Sequence, residues 1–351
     1  MRDSFVSIRG RVAINVEALN MTESIGNYVK HRRVPVMLRE DDGSYSVYFV
    51  PAISGESVAH ALQVILAEEC NEAGANRHNA LPVCKLCSKG ILLKSSNEEI
   101  FLEAFPNAKE TFSSVSQNPA VIEEFVIKNC VVEDIGGFLY APQKSKGKRT
   151  SKDKDESNSD DAPKNVKRTS NFYTGYMIPT QEALKNAIIE PQLHSRYALG
   201  TKFVKMDARG QMLYYVELTS TVYTFSLDID TRFIGKITFN VERAGESVVS
   251  EEERLQRTLA LLNSVKRLLV ENSFGAKRTR FLPTIDWESM VIAVSDRPWT
   301  VPSPFTKSYI DRARQKKEKI NSNTDLYIFE GGSFEAFVSD AFAKIKERIA
   351  S

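Results

Sequence analysis

A chain of 351 residues can bury a sizeable hydrophobic core, and it is too long for one minimal module. Its 47 basic and 45 acidic residues almost cancel, so any surface for a polyanion has to be a local patch. Four cysteines are too few for a disulfide scaffold, and no apolar run reaches the roughly 20 residues of a membrane helix. With no apolar signal segment at the N-terminus, we expect a cytoplasmic protein.

The first 65 residues predict strand, loop, hairpin and helix. Residues 5–16 alternate, so a strand should turn Val6 to Val16 in steps of two toward the core. A basic loop follows over residues 20–33, and Asp42-Gly43 predicts a hairpin between two apolar runs. Ser54 is placed to cap a helix, whose inward face would carry Val58, Leu62 and Ile65.

The middle of the chain is less regular. Residues 125–132 are rich in β-forming side chains and predict a strand that carries Cys130. Residues 143–170 are mainly Lys, Ser, Asp and Asn, a composition that cannot offset its own ordering entropy. Since an extended pattern resumes at residues 172–178, we interpret this stretch as the tip of a protruding hairpin. A disordered linker between two domains is the alternative.

The second half returns to alternating helices and strands. Thr180 is expected to cap a short helix reaching residue 189, and residues 213–229 predict a long strand. Ser250 and Glu253 have capping-box spacing ahead of an amphipathic helix. A strand over residues 290–295 and a terminal helix starting at Ser333 complete the chain. The fold class that follows is α+β, one antiparallel sheet covered by helices.

Three basic stretches are candidates for binding phosphate groups, because each lies in a loop or at an element's end. Within them the candidate residues are Lys30, His31, Arg32 and Arg33; Lys148, Arg149, Lys167 and Arg168; and Lys277, Arg278 and Arg280. Solvated charged faces are the alternative interpretation of each stretch. The turn PAISGES at residues 51–57 also has two interpretations. Free amides of Ser54 and Gly55 at a helix start suit a phosphate, and a plain helix cap explains the same residues.

Cys84 and Cys87 form a C-x-x-C pair, and Cys70 and His78 lie just upstream. Together the four residues match the ligands of a structural zinc site of the Cys₃His type. Free thiols and a redox-active pair are the alternatives.

Five segments resemble one family. They are VSIRGRVAINVEALN (6–20), SIGNYVKHR (24–32), PAISGESVAH (51–60), GGFLYA (136–141) and FGAKRTRFLP (274–283). In order and spacing they are similar to the CRISPR-associated RAMP proteins, and within these to the Cascade backbone subunit, the Cas seven family in its Csa/DevR branch, type I-A-like. Two features depart from that pattern: the polar tip over residues 143–170, and Ala59 where Lys often precedes the position of His60.

The resemblance implies a single modified RRM-like (ferredoxin-like) palm over residues 1–351. Within it, residues 52–130 would be a helical, Cys-containing insertion and residues 141–175 a thumb hairpin. It adds Asn27 and His60 to the candidate RNA contacts. Such subunits bind CRISPR RNA and stack head to tail on copies of themselves, beside other Cascade subunits, so that the guide pairs with a target DNA strand.

On this interpretation the protein is not an enzyme and requires no cofactor beyond a possible structural zinc. Two other functions stay open, an RNA-cleaving RAMP endoribonuclease and a generic RNA-binding scaffold. Cleavage would need paired general acid and base groups or a loop carboxylate, for which Glu23 is the candidate past Glu17.

Overall fold

The computed structural model describes residues 1–76, 80–111, 119–141, 165–197, 211–276, 278–320 and 323–351. The strands are β1 (Phe5–Glu17), β2 (Met21–Ile25), β3 (Tyr28–His31), β4 (Arg33–Arg39), β5 (Tyr45–Pro51), β6 (Phe138–Tyr140), β7 (Val166–Arg168), β8 (Phe172–Thr174), β9 (Ile189–Tyr197), β10 (Gln211–Asp230), β11 (Thr284–Ser295) and β12 (Thr324–Phe329). The helices are α1 (Gly55–Asn76), α2 (Glu98–Ala104), α3 (Ala108–Thr111), α4 (Pro119–Asn129), α5 (Val131–Gly136), α6 (Glu251–Glu271), α7 (Arg278–Phe281), α8 (Tyr309–Lys319) and α9 (Phe334–Ala350).

Strand β1 lies at the centre of an eight-stranded sheet. It pairs antiparallel with β10 on one side and β11 on the other, and β12 extends the sheet beyond β11. The 20-residue β10 also pairs antiparallel with β8 and β9, and parallel with β3. The predicted α+β class with a mostly antiparallel sheet is therefore confirmed.

One face of this sheet forms the main core. Alternate residues of β1 and β10 point into it, among them Ile8, Val12 and Phe225, which are fully buried. Helices α1, α6 and α9 pack over this face and against one another. Burying one such side chain stabilises the fold by about 1.5–3 kcal/mol. The inward face predicted for α1 is confirmed, since Val58 and Leu62 are buried in this cluster.

The opposite face of the sheet is also covered. Helix α8 and the segment before it place Trp299, Val301 and Tyr309 against Val291 and Ala293 of β11. The Lys316 ammonium lies 4.4 Å from the centroid of the Trp299 ring. Sheets that stack bases need an open face, and here the part of that face formed by β11 and β12 is covered by the protein's own side chains.

A bulge near the end of β1 corrects the predicted alternation. The register with β10 shifts between Ile14 and Glu17, and Val16 adopts a φ of +57°. As a result Val16 is 51% exposed and Glu17 is fully buried, where simple alternation expected the reverse. The extra residue rotates every later side chain to the opposite face.

Two predicted elements are wrong. Residues 125–132 lie in α4 and α5, where packing against the core outweighs their β propensity. Thr180 begins no regular helix: its amide donates to the Val222 carbonyl of β10 at 2.9 Å, and its buried hydroxyl accepts no capping hydrogen bond. Only a 3₁₀ turn over Leu184–Asn186 follows before β9.

Strands β6 and β7 form a short antiparallel pair, with Phe138 opposite Arg168 and Tyr140 opposite Val166. We call this pair the stem. The tip predicted between its two strands falls largely on residues 142–164, outside the described residues. Within the described part of the chain, no helix combines the length and the apolar character needed to cross a bilayer.

Candidate nucleic-acid interface

Three of the candidate segments meet at the end of β1. The Asn20 carbonyl accepts the Arg32 amide at 2.9 Å, and the Asn20 side chain accepts the Ser54 amide. One residue earlier, the Leu19 carbonyl accepts the Ala276 amide at 2.7 Å. Two consecutive residues thus join the basic loop, the start of α1 and the loop after α6. We call this meeting point the β1 junction.

Close backbone approaches explain two glycines at the β1 junction. A Cβ on Gly55 would lie 2.6 Å from the Thr174 carbonyl oxygen. One on Gly275, whose φ is +91°, would lie 2.6 Å from the Leu19 Cβ. Both positions therefore require glycine for packing. Ser54 is buried and its hydroxyl accepts the Ser57 amide at 3.2 Å, so the helix-cap reading of this turn has direct geometric support.

Arg32 places a guanidinium beside an exposed aromatic ring at the β1 junction. It donates to the Tyr176 hydroxyl at 3.2 Å, and its guanidinium lies 5.9 Å from the centroid of that ring. Its Nε is buried without a hydrogen-bond partner, and Tyr176 is 45% exposed. An arginine stacked on an exposed tyrosine can contact a phosphate and a base together. The sequence reasoning missed Tyr176, although it lies in the extended segment after the polar stretch.

Asn27 and Lys30 are exposed on the β2–β3 hairpin, and Arg33 is exposed at the start of β4. The Arg33 guanidinium lies 3.2 Å from the carboxylate of buried Glu217, which offsets part of its charge. Beside them the rings of Tyr28 and Tyr215 stack at 5.6 Å. This aromatic pair was also missed, because its members are 187 positions apart and meet only through the β3–β10 pairing.

His31 is a correction: its side chain is buried and cannot reach a phosphate from this position. Its Nε2 lies 2.8 Å from a Glu17 oxygen, and its Nδ1 lies 3.0 Å from the Arg32 carbonyl oxygen. Burial alone would lower the pKa of His31, but the hydrogen bond and charge of Glu17 outweigh it and raise the pKa. Two acceptor oxygens at both ring nitrogens favour the protonated imidazole.

Arg168 is a second correction. Its guanidinium is 1% exposed and forms ion pairs with Glu123 at 3.0 Å and with Asp134. Asp134 also pairs with buried Arg257 at 2.7 Å. We call these four residues the stem anchor, because Arg168 belongs to the stem. In β-strand register the neighbouring Lys167 points the other way and is exposed, so it is the member of this pair available to a ligand.

The remaining basic candidates are only partly described. His60 is exposed on α1, and Arg278 donates to the Ser273 hydroxyl at 3.3 Å and to the Glu271 carbonyl. Arg280 lies in α7, where only the backbone is described. Lys148, Arg149 and Lys277 lie outside the described residues.

The cysteines group differently from the predicted ligand set. Cys84 and Cys87 lie together with Cys130 and Glu133, and Cys70 is not part of that group. Cys70 is buried in α1, where desolvation raises the pKa of its thiol to about 12. His78 lies outside the described residues. Cys130 is the N-cap residue of α5 rather than a strand residue.

The chain is similar in sequence to known CRISPR-associated proteins. Residues 8–314 match the family described as CRISPR-associated negative auto-regulator DevR/Csa2. The CRISPR-associated protein Cas7/Csa2 1 of Saccharolobus solfataricus is 32% identical over 93% of this chain and 89% of its own. The aCascade subunit Cas7/Csa2 2 of the same organism is 32% identical over 96% and 98%. A chain of a CRISPR RNA-guided surveillance complex superposes with a TM-score of 0.49 at 10% identity, over 97% of this chain and 99% of that one.

The class defined by these matches is that of the CRISPR-associated proteins. Within it, the chain belongs to the DevR/Csa2 family, since the family match covers most of its length and two relatives exceed 30% identity.

Proposed function

We propose that this protein is a non-enzymatic backbone subunit of a Cascade-like effector, which holds CRISPR RNA along its phosphates at the β1 junction. One observation supports the proposal most directly. The backbone amides of Arg32, Ser54 and Ala276 all donate to two consecutive residues at the end of β1, Leu19 and Asn20. Loops fixed to the end of a central strand give cationic side chains a rigid support. Such a support is needed to hold the phosphate backbone of an RNA in place.

An RRM-like palm is part of the proposal. In chain order β1, α1, β8, β10, α6 and β11 follow the strand-helix-strand-strand-helix-strand pattern of ferredoxin-like folds. In the sheet these strands lie in the order β11, β1, β10, β8, and both helices pack on one face. The other strands and α8 would then be additions to this unit.

The closed sheet face favours holding the guide without reading its sequence. An ordinary RRM stacks bases on an open sheet, and α8 with Trp299 occupies that face here. Contacts to phosphate carry no sequence code, so one protein can hold any guide. Bases not held by the sheet are then available to pair with a target DNA strand. Tyr176 and the Tyr28–Tyr215 pair are positioned to support individual bases at the edge of the path.

Stacking on copies of itself is supported by an exposed apolar face of the β4–β5 hairpin. Met37, Val47 and Phe49 are 63%, 59% and 71% exposed and lie on the same face as Pro35. The opposite face packs Leu38 and Val50 on Leu184. Exposed apolar patches of this kind mark interaction surfaces. A relative at 32% identity is named as an aCascade subunit, and other Cascade subunits would be further partners.

Titration with salt tests the proposed grip on phosphates. Replacing Lys30, Arg32 and Arg33 together by Ala should flatten the slope of log K against log salt by roughly two units, since each single-strand phosphate contact contributes about 0.7. Affinity should fall about equally for unrelated RNA sequences, and the RNA should remain intact with Mg²⁺ present.

A matched control removes the same charge from α8, where Arg312, Lys317 and Lys319 are exposed. That variant should keep the wild-type slope. Equal losses in both variants would mean that general charge, not the β1 junction, attracts RNA. A loss confined to one RNA sequence would show base recognition and overturn the proposed mechanism, and cleavage of the RNA would favour an endoribonuclease.

A further inference from the structure

Three thiols and a carboxyl group converge in the interior, away from the β1 junction. One ligand atom from each of Cys84, Cys87, Cys130 and Glu133 lies within 4.8 Å of the others, and all four residues are buried. Tetrahedral zinc with Zn–S bonds of about 2.3 Å places its sulfur ligands about 3.8 Å apart. The most widely separated of the four groups thus need to close by at most about 1 Å to share one ion.

The backbone around Cys84 and Cys87 has the form of a tight metal-binding turn. The Cys87 amide points at the Cys84 sulfur at 3.4 Å, as expected for a donor that stabilises a thiolate. The turn ends at Gly90, which has a φ of +72° and donates to the Cys87 carbonyl at 3.0 Å. Cys130 and Glu133 repeat the same two-residue spacing at the start of α5. The Val131 amide ties the two segments together through the Pro82 carbonyl at 2.8 Å.

Glu133 is the member of the group that needs explanation. Its carboxyl is completely buried, one oxygen accepts the Ser95 amide at 2.8 Å, and the other lies 3.5 Å from the Cys84 sulfur. A buried carboxyl group costs several kcal/mol unless it is paired or binds a metal. Lys94, partly buried, interacts electrostatically with Glu133, Cys87 and Cys130 and donates to the Gly136 carbonyl at 2.8 Å. In the metal-bound form, three thiolates and a carboxylate would carry four negative charges, and a divalent cation together with the Lys94 ammonium would leave one of them in excess.

We propose that Cys84, Cys87, Cys130 and Glu133 bind one structural Zn²⁺ ion. Three soft sulfur ligands select zinc over the hard cations Mg²⁺ and Ca²⁺. Four protein ligands close the coordination shell, which is the pattern of a structural rather than a catalytic site. On binding, the three thiols release their protons to solvent and each sulfur forms a bond to the metal.

The ion would brace the stem. Glu133 adjoins Asp134, the carboxylate that pairs with Arg168 and Arg257 in the stem anchor. Helix α5 therefore carries a metal ligand and the anchor of β7 at neighbouring positions. It ends at Gly136, two residues before β6. Fixing the start of α5 to the turn at Cys84 holds both strands of the stem in place.

Metal analysis of the full chain tests the proposal directly. Protein produced with zinc in the medium, free of affinity-tag histidines and chelators, should contain about one zinc per chain. After replacement by Co²⁺, the wild type should show the visible bands of tetrahedral Co²⁺ and the charge-transfer absorption of Co²⁺–thiolate bonds. Removing the metal should speed hydrogen exchange in residues 138–141 and 165–168. Less than about one tenth of a zinc per chain, with no cobalt–thiolate absorption in the wild type, would overturn it.

Single substitutions identify the residues that bind the ion. Cys84→Ser and Cys130→Ser should lose the metal, while Cys70→Ser, a buried thiol outside the group, should keep it. Glu133→Gln should weaken zinc by at least about tenfold in competition with a chromophoric chelator. Zinc lost equally from Cys70→Ser would contradict this ligand set. The wild-type cobalt spectrum keeps the test decisive even where a serine variant does not fold.

Discussion

At the scale of single residues, one extra residue in β1 creates a buried polar group. The bulge turns Glu17 inward, where its carboxylate accepts the Tyr223 hydroxyl and the Leu19 amide and faces His31. Each of these contacts comes from a different part of the chain. A fully buried, multiply bonded carboxylate of this kind fixes the backbone around it, here the residues that lead into the β1 junction.

The His31–Glu17 contact should make stability depend on pH. Since the pKa of His31 is raised on folding, its contribution is fully present below the ordinary pKa of 6.5 and is lost as pH rises through the folded value. Urea unfolding from about pH 5 to pH 9 should show this loss in the wild type and a flatter profile in His31→Gln. Tyr223 does not titrate in that range, because burial raises its pKa well above 10. An unchanged profile in the variant would assign the pH dependence to other groups.

Two adjacent residues of the stem should separate stability from binding. Arg168→Ala leaves buried Glu123 without its ion-pair partner and leaves Asp134 paired with Arg257 alone, so the free energy of unfolding should fall by about 3–5 kcal/mol. Lys167→Ala should change it by less than about 0.5 kcal/mol, since the side chain is exposed. Denaturant titration measures both changes in the free energy of unfolding. RNA affinity should fall for Lys167→Ala, and it should not fall for Arg168→Ala that is folded. A stable Arg168→Ala protein with weakened RNA binding would return Arg168 to the binding surface.

At the scale of helices and strands, the sequence predicted those features that depend on residues close together in the chain. Ser250 accepts the Glu253 amide at 3.1 Å at the start of α6, and Ser333 accepts the Ala336 amide at 3.2 Å at the start of α9. Both caps were predictable because they depend on neighbours three positions apart. The buried face of α6 was harder to predict, because Leu255 is only partly buried while Arg257 is fully buried. The burial of this arginine can be explained only once its distant partner Asp134 is known.

The β4–β5 hairpin gives the prediction that belongs to this scale. Aspartate at Val47 and Phe49 should abolish length-dependent assembly on RNA, because charge would enter an apolar contact between copies, and leave the fold intact. Sedimentation velocity with RNAs of increasing length measures the effect. Val241→Asp, at a position 91% exposed, is the control and should assemble as the wild type. Normal assembly of the hairpin variant would move the interface elsewhere.

At the scale of the whole molecule, the sequence predicted the fold class, the long β10 strand and the basic loops, since those follow from periodicity and composition. It could not predict which basic residues face inward. His31 and Arg168 look like their neighbours Lys30 and Lys167 in sequence. Only contacts with residues distant in the chain, 186 positions away for His31 and 68 for Arg168, distinguish them. The sequence could not place Cys130 and Glu133 beside Cys84 and Cys87 for the same reason, because Cys130 reaches Cys84 through the packing of α5.

The stem has a consequence for protein engineering. Tyr140 and Val166 face each other across its open end, so the chain leaves and re-enters the stem at points about 5 Å apart. A guest domain whose own termini lie equally close can be inserted there, because the entropy cost of closing a loop rises only slowly with its length, by about 0.6 kcal/mol per doubling. The stem anchor at Arg168 lies at the other end of the stem from that insertion point, and it holds β7 against α5. A fluorescent reporter placed at this position would move with the stem and leave the β1 junction and the β4–β5 face unaltered.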